Sequence, residues 1–279
     1  MKKIIFLLLL IFHSLNSLSN NPFDPLEQAK KVAIGTDKLI LIDFYADWCG
    51  PCKKMDAESW SNDEIKKITE NFVFVKIDID NYKEIAKKYA VNGIPYVFIL
   101  DATGEIVYNH IGYLSKSQLK NTLNTYSLNM NYLQSSYLIN FEKETTFSNT
   151  RIAQKYQEYS ILLDDKLKKK FLLLSKKYLD KSRKSLKQNE NKYIQKIELL
   201  YLQGYVLNGD YKKVFKKLES NFKEEEIQNS NKSLYCFLNY MVYENGGNDE
   251  VAQKWLDHLV AQKGNKIYLT QIKLINSKS

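Results

Sequence analysis

The sequence predicts a mixed α/β sheet covered by helices on both faces, followed by an all-helical half. Three observations carry this expectation. Short β-branched and aromatic runs alternate with helix-patterned segments as far as Tyr126. From about Asn129 the strand signals stop, and long Lys-, Leu- and Tyr-rich helical patterns replace them. Cys49 and Cys52 sit between an apolar strand-like run and a basic, helix-prone stretch, Lys53-Lys54-Met55.

Taken in order, Asp24 before Pro25 predicts a capped amphipathic helix to Ile34, ended by Gly35. Leu39 to Tyr45 reads as a buried strand, and the cysteine pair opens a helix running towards Ser59. A second helix spans Asn62 to Asn71, with Ile65 and Ile68 at helical spacing. Phe72 to Asp78 alternates as a strand and Tyr82 to Tyr89 is helical. Tyr96 to Leu100, a turn at Ala102-Thr103-Gly104-Glu105 and Ile106 to His110 form a hairpin, closed by a helix from Ser117 to Tyr126. Strands interspersed with helices and ending in a hairpin make a mixed sheet.

In the second half, two stretches look like diverged copies. Leu199 to Leu218 turns at Asn208-Gly209-Asp210, and Leu234 to Leu259 turns at Asn245-Gly246-Gly247-Asn248-Asp249. Helix, turn and helix in each is the form of a paired-helix, TPR-like repeat. The expected organisation is therefore a signal segment at 1–19, an α/β domain at 22–128 and a helical domain at 129–279, with a linker near 143–150.

Composition narrows the function. The apolar share of 44% and the low Gly and Pro counts of 10 and 4 exclude full disorder. The net charge is +9, but Arg151 and Arg183 are the only arginines. Bidentate reading of phosphate or bases favours arginine, so no nucleic-acid partner is expected. Lys168-Lys169-Lys170 reads as a solvated helix face. At the N-terminus, Lys2 and Lys3 precede the apolar run Ile4 to Phe12, and Ser17-Leu18-Ser19 offers a small-x-small cleavage pattern. The run is too short for a membrane span, so cleavage and a periplasmic or secreted location are expected rather than an uncleaved anchor. With no other apolar run long enough, no stable membrane span is expected after cleavage.

Export places the three cysteines outside the reducing cytosol, yet one CxxC pair plus Cys236 is a poor scaffold for a chain this long. Two thiols at CxxC spacing open and close a disulfide without large backbone movement. A cysteine at a helix start has its thiolate favoured by free N–H groups and the helix dipole. Half of a zinc site would need two more ligands from Cys236, His110 and His258, without the usual paired spacing, and a permanent structural disulfide is the other bland reading. No metal and no cofactor are expected. Cys236, within Leu234-Tyr235-Cys236-Phe237-Leu238, reads as buried helix packing.

Trp48-Cys49-Gly50-Pro51-Cys52 resembles the thioredoxin signature. Asp43, six residues before Cys49, stands where thioredoxins carry a buried acid, and Gly93-Ile94-Pro95 resembles the segment bearing their cis-proline. Gly104 and Gly112-Tyr113-Leu114-Ser115-Lys116 fall in family order. The leading helix and Asn62-Asp63-Glu64 look most like the exported thioredoxin-like domains of thiol–disulfide interchange proteins. The resemblance covers about Pro25 to Tyr126.

It implies a thioredoxin fold and a CxxC dithiol/disulfide cycle. Cys49 would be the attacking thiolate, Cys52 the resolving thiol and Asp43 its proton acceptor, with Lys76 on the neighbouring strand tuning Asp43. Trp48 would shield the site and Gly50-Pro51 fix the turn. Ile94 and Pro95 would receive an extended substrate strand. Three departures follow from the same comparison. Ala57 replaces a helix-kinking proline and implies a straighter active-site helix. Tyr45 replaces a frequent tryptophan. Tyr96 would reshape the substrate groove.

The expected function is an exported thiol–disulfide oxidoreductase that reduces protein disulfides and is recharged by a separate donor, such as a membrane thiol–disulfide relay. The competing readings are a disulfide oxidase or isomerase of cell-envelope folding, and a helical protein-binding module with a secondary redox domain.

Overall fold

The computed structural model describes residues 24–187 and 191–277. The expected signal segment at 1–19 lies outside them. Asp24 accepts from the N–H groups of Leu26 and Glu27 at 2.8 and 3.2 Å and starts helix α1, Pro25–Thr36. The helix does not stop at Gly35, as its glycine suggested. It ends at Asp37, which adopts the left-handed conformation (φ 57°) and returns its N–H to the carbonyl of Ala33.

Four strands follow: β1 (Leu39–Tyr45), β2 (Phe72–Asp78), β3 (Tyr96–Leu100) and β4 (Ile106–Ile111). Their order is β2-β1-β3-β4. β1 runs parallel to β2 and antiparallel to β3, and β3 pairs antiparallel with β4. Central β1 is buried along Leu39 to Phe44, as expected for a strand covered on both faces. Parallel pairing places Asp43 opposite Lys76, and the antiparallel pair places Ile40 opposite Leu100. Helices α2 (Gly50–Met55), α3 (Asp63–Thr69), α4 (Lys83–Lys88) and α5 (Lys116–Tyr126) complete this part.

The active-site helix is not straightened by Ala57. It passes into a π segment at Asp56–Trp60, where Ser61 N–H reaches the carbonyl of Asp56 at 2.9 Å. Tertiary contacts hold the widened turn without a proline. Buried Ser59 donates to the carbonyl of Leu114 at 2.8 Å, and Trp60 stacks on Phe74 at 4.8 Å.

Residues 127–130 lead into the helices α6 (Asn131–Glu142), α7 (Thr146–Ser160), α8 (Asp165–Lys184), α9 (Asn191–Leu207), α10 (Tyr211–Asn221), α11 (Lys232–Asn245), α12 (Asp249–Ala261) and α13 (Lys266–Asn276). The stretch 143–150 is no linker. Only a tight turn precedes α7, closed by a capping box between Thr145 and Ser148. Ser148 and Asn149 are buried, both bonded by Asn140. The Ser, Thr and Asn residues that gave it a loop-like composition are cap formers. The two expected hairpins are α9–α10 and α11–α12, turning at Gly209 (φ 87°) and Gly247 (φ 73°).

The helices pack directly on the α/β part, and one buried apolar cluster runs from Leu26 to Ile272. Met130 N–H donates to the carbonyl of Asp37 at 2.9 Å, and Gln134 to that of Ile34 at 3.2 Å. The densest polar contact is fully buried Asp101, just past β3. One of its oxygens accepts from Tyr156 and Tyr178 at 2.8 and 2.6 Å. The other accepts from the N–H groups of Thr103 and Glu105 and from the Thr103 hydroxyl, each at 2.9 Å. Beside it, Glu105 pairs with Lys177 and Lys181. Among the described residues no helix is long and apolar enough to cross a membrane.

Candidate active site

The chain leaves β1 at Tyr45 and turns through Ala46-Asp47-Trp48 into α2. Cys49 is the N-cap, with the extended backbone a cap requires (φ −78°, ψ 102°). Its sulfur accepts from Cys52 N–H at 3.1 Å. Gly50 and Pro51 form the first turn, where the missing proline N–H costs nothing. Cys49 and Cys52 are joined in a disulfide with Cα atoms 5.3 Å apart. Both are buried, packed with Ala46, Tyr45, Ile79 and Ile94. On reduction, a Cys49 thiolate would sit at the free N–H groups of the helix start.

Asp43 is 2% exposed, and its Oδ1 has no hydrogen-bond partner. Lys76 stands 3.4 Å from its other oxygen, as the strand register dictates. Burial raises the Asp43 pKa, Lys76 opposes this, and the charge of Asp56 adds to it; the outcome is about 6. Burial acts to lower the Lys76 pKa, but its bond to Asp56 and the charges of both carboxylates leave it raised. The Lys76 ammonium also lies 4.9 Å from the Tyr45 ring centre.

Asp56 was not singled out from the sequence. It pairs closely with Lys76, and its N–H bonds the carbonyl of Cys52, one helical turn back. The spacing of four from Cys52 was the available signal, since it puts both residues on one helix face. Lys76 therefore ties the face that carries Cys52 to buried Asp43. Asp80 was also missed. It accepts from Trp48 Nε1 at 2.8 Å and fixes an indole that is 68% exposed. Trp48 thus flanks the cysteines as a pinned, open surface rather than as a buried cover.

The Ile94–Pro95 bond is cis, and half-buried Ile94 packs against the cysteine pair. The Tyr96 hydroxyl accepts from Asn109 Nδ2 at 3.0 Å, and its ring centre lies 4.3 Å from that of Phe98. Cys236 is buried in α11, and burial pushes its thiol up to about 11. After reduction, brief iodoacetamide treatment at pH 7 should label Cys49 and leave Cys236 intact in a peptide map. Equal labelling of Cys236 in the folded chain would contradict this assignment.

A disulfide-bonded CxxC at the start of a helix, on a four-stranded mixed sheet, defines a thioredoxin-like thiol–disulfide oxidoreductase. The model of the thioredoxin-like domain matches residues 26–127. Thioredoxin of Mycoplasmoides gallisepticum is 34% identical over 90 residues, which span 32% of this chain and 86% of that protein. Thioredoxin of Bacillus subtilis is 35% identical over 89 residues, 32% of this chain and 83% of its own. Among solved structures, the oxidised C-terminal domain of DsbD from Neisseria meningitidis aligns with 37% of this chain and 90% of its own, at 25% identity and a TM-score of 0.33. The chain belongs to the thioredoxin family through this segment.

Proposed function

We propose that the protein is an exported reductase of protein disulfides. The observation that carries this reading is the Cys49–Cys52 disulfide at a helix start, linked through Lys76 and Asp56 to a buried carboxylate with one unpartnered oxygen. In the reduced enzyme, Cys49 thiolate attacks one sulfur of a client disulfide. The Cys49–client S–S bond forms as the client's own S–S bond breaks, and the client's other sulfur leaves as a thiolate that takes a proton from water. Cys52 then gives its proton to Asp43, directly or through water, and attacks Cys49 Sγ. The Cys49–client S–S bond breaks, the second client sulfur leaves as a thiolate that takes a proton from Asp43 or water, and the Cys49–Cys52 disulfide is restored to await a separate donor such as a membrane thiol–disulfide relay. Ile94 and Pro95 would form the edge that receives the client strand.

Fold geometry supports access to large clients. Asp101 follows Leu100, which pairs with Ile40 near the start of β1, whereas Cys49 follows the other end. The helices anchored on Asp101 are thus attached about 15–20 Å from the cysteines along the strand. Export is supported by the basic and apolar pattern of residues 2–12. On this reading 22–128 is the redox unit and 129–279 a helical unit, whose two hairpins support a paired-helix repeat.

The test is a trap and a potential. A Cys52→Ser variant incubated with oxidised cell-envelope proteins should retain clients as reducible mixed disulfides, and Cys49→Ser should retain none. The reduction potential should lie near the roughly −270 mV of thioredoxin; a value near about −120 mV would make the protein an oxidase and sink the reductase reading.

A further inference from the structure

A groove far from the cysteines in sequence is built like an anion site. It has a volume of about 440 Å³ and lies between α7, the start of α9 and the loop before α11. Its lining carries two cations, Arg151 and Lys196, together with Phe147, Tyr193 and neutral hydrogen-bonding side chains, and no carboxylate. By contrast, the buried or half-buried ammonium groups of Lys30, Lys155 and Lys181 each sit on a carboxylate, that of Glu27, Glu158 and Glu105 respectively.

Both cations are oriented without being neutralised. Arg151 Nε donates to Ser136 at 3.1 Å and its Nη2 to Ser135 at 3.4 Å. Among the described residues no carboxylate pairs with it. Neutral hydroxyls thus fix the guanidinium plane and leave its charge for a further partner. Lys196 meets the Tyr268 hydroxyl at 3.5 Å. Burial pushes its ammonium down to about 8, opposed only by the through-space charge of Glu158. The carboxylate of Glu158 is itself taken by Tyr132, Gln154 and Lys155. Holding a half-buried ammonium against a hydroxyl costs free energy that a bound anion would offset.

The walls are set before any ligand arrives. Gln195 on α9 accepts from Gln228 N–H at 2.9 Å and from Asn231 Nδ2 at 3.0 Å, and donates to the carbonyl of Glu226 at 3.0 Å. Three bonds from one side chain pin the loop that closes the groove. Phe147 is 46% exposed, with the Tyr193 ring centre 6.5 Å from its own. They supply an aromatic surface beside the cations.

We propose that this groove binds a carboxylate carried on an aromatic or aliphatic body, with Arg151 and Lys196 holding the carboxylate and Phe147 and Tyr193 the apolar part. The site does not depend on the redox chemistry. Such a ligand is either a free organic acid or a peptide, and the test separates the two.

Isothermal titration of the full chain with N-acetylphenylalanine and with its carboxamide tests the charge. The acid should bind, and the amide should bind about tenfold more weakly or not at all. Arg151→Gln and Lys196→Met should each weaken the acid about tenfold or more. Should Arg151→Gln fail to fold, Lys196→Met decides, since it exchanges a half-buried charge for an uncharged side chain of similar length. An acidic peptide ending in phenylalanine, with its terminus free or amidated, runs alongside; tighter binding than the small acid identifies a peptide source, and weaker binding a free acid. No heat with the acid at millimolar concentration, equal affinity for acid and amide, or unchanged affinity in folded Lys196→Met overturns the proposal. Insulin reduction should be unchanged in both variants, so that loss of binding and loss of redox function stay distinct.

Discussion

Replacing Asp101 with alanine should destabilise the chain by about 3–5 kcal/mol, read as a lower urea midpoint. The carboxylate is fully buried and accepts from two tyrosine hydroxyls, two backbone N–H groups and the Thr103 hydroxyl. Alanine leaves these donors without their acceptor in a dry site, and each buried unsatisfied group costs about 1–3 kcal/mol before relaxation. Some of that cost is recovered, because the Thr103 hydroxyl can turn its proton to the Tyr178 oxygen. Asp101→Asn should fall between the two proteins, since one oxygen still accepts from the turn. The reduction potential should not change in either variant, because the cysteines lie beyond the opposite end of β1. A variant as stable as the parent would show that Asp101 does not lock the helices to the sheet.

Asp43→Asn should slow resolution of the mixed disulfide about 10- to 100-fold at pH 7, seen as accumulation of the Cys49-linked intermediate in a single turnover. Asparagine keeps the shape but accepts no proton from Cys52. The same variant should be more stable than the parent at pH 7. Burial raises the folded-state pKa of Asp43 from 3.8 to about 6, so between these values the folded state binds more protons than the unfolded state. Stability of the parent therefore falls as pH rises through that window, by an amount on the order of 2–3 kcal/mol. Asparagine removes the penalty, and its advantage should shrink from pH 6 towards pH 4 and vanish below. An advantage that grew on acidification would mean that Asp43 is held ionised by Lys76 rather than raised by burial.

Much of the redox segment was legible because its signals are local. The β1 run, the Asp24 cap and the CxxC at a helix start each depend on residues close in sequence. Asp56 and Asp80 escaped because their roles arise across space. Asp56 acts through its ion pair with Lys76, twenty residues on, and Asp80 through the indole of Trp48. The π segment escaped for a similar reason. Ala57 argues for a regular helix, but the contacts of Ser59 and Trp60 decide the backbone there. At 143–150, composition suggested a loop because cap-forming and loop-forming residues are the same residues, and only burial tells them apart.

By itself the sequence determined the α/β order, the cysteine chemistry and the two helical hairpins, because strand alternation, helix capping and CxxC spacing are short-range properties. Only the tertiary structure decided where the helical half attaches, which carboxylates share Lys76, and that Arg151 and Lys196 face one groove without an acid. Those facts rest on pairings between residues tens of positions apart, where burial and through-space charge set the energy and local pattern carries no information.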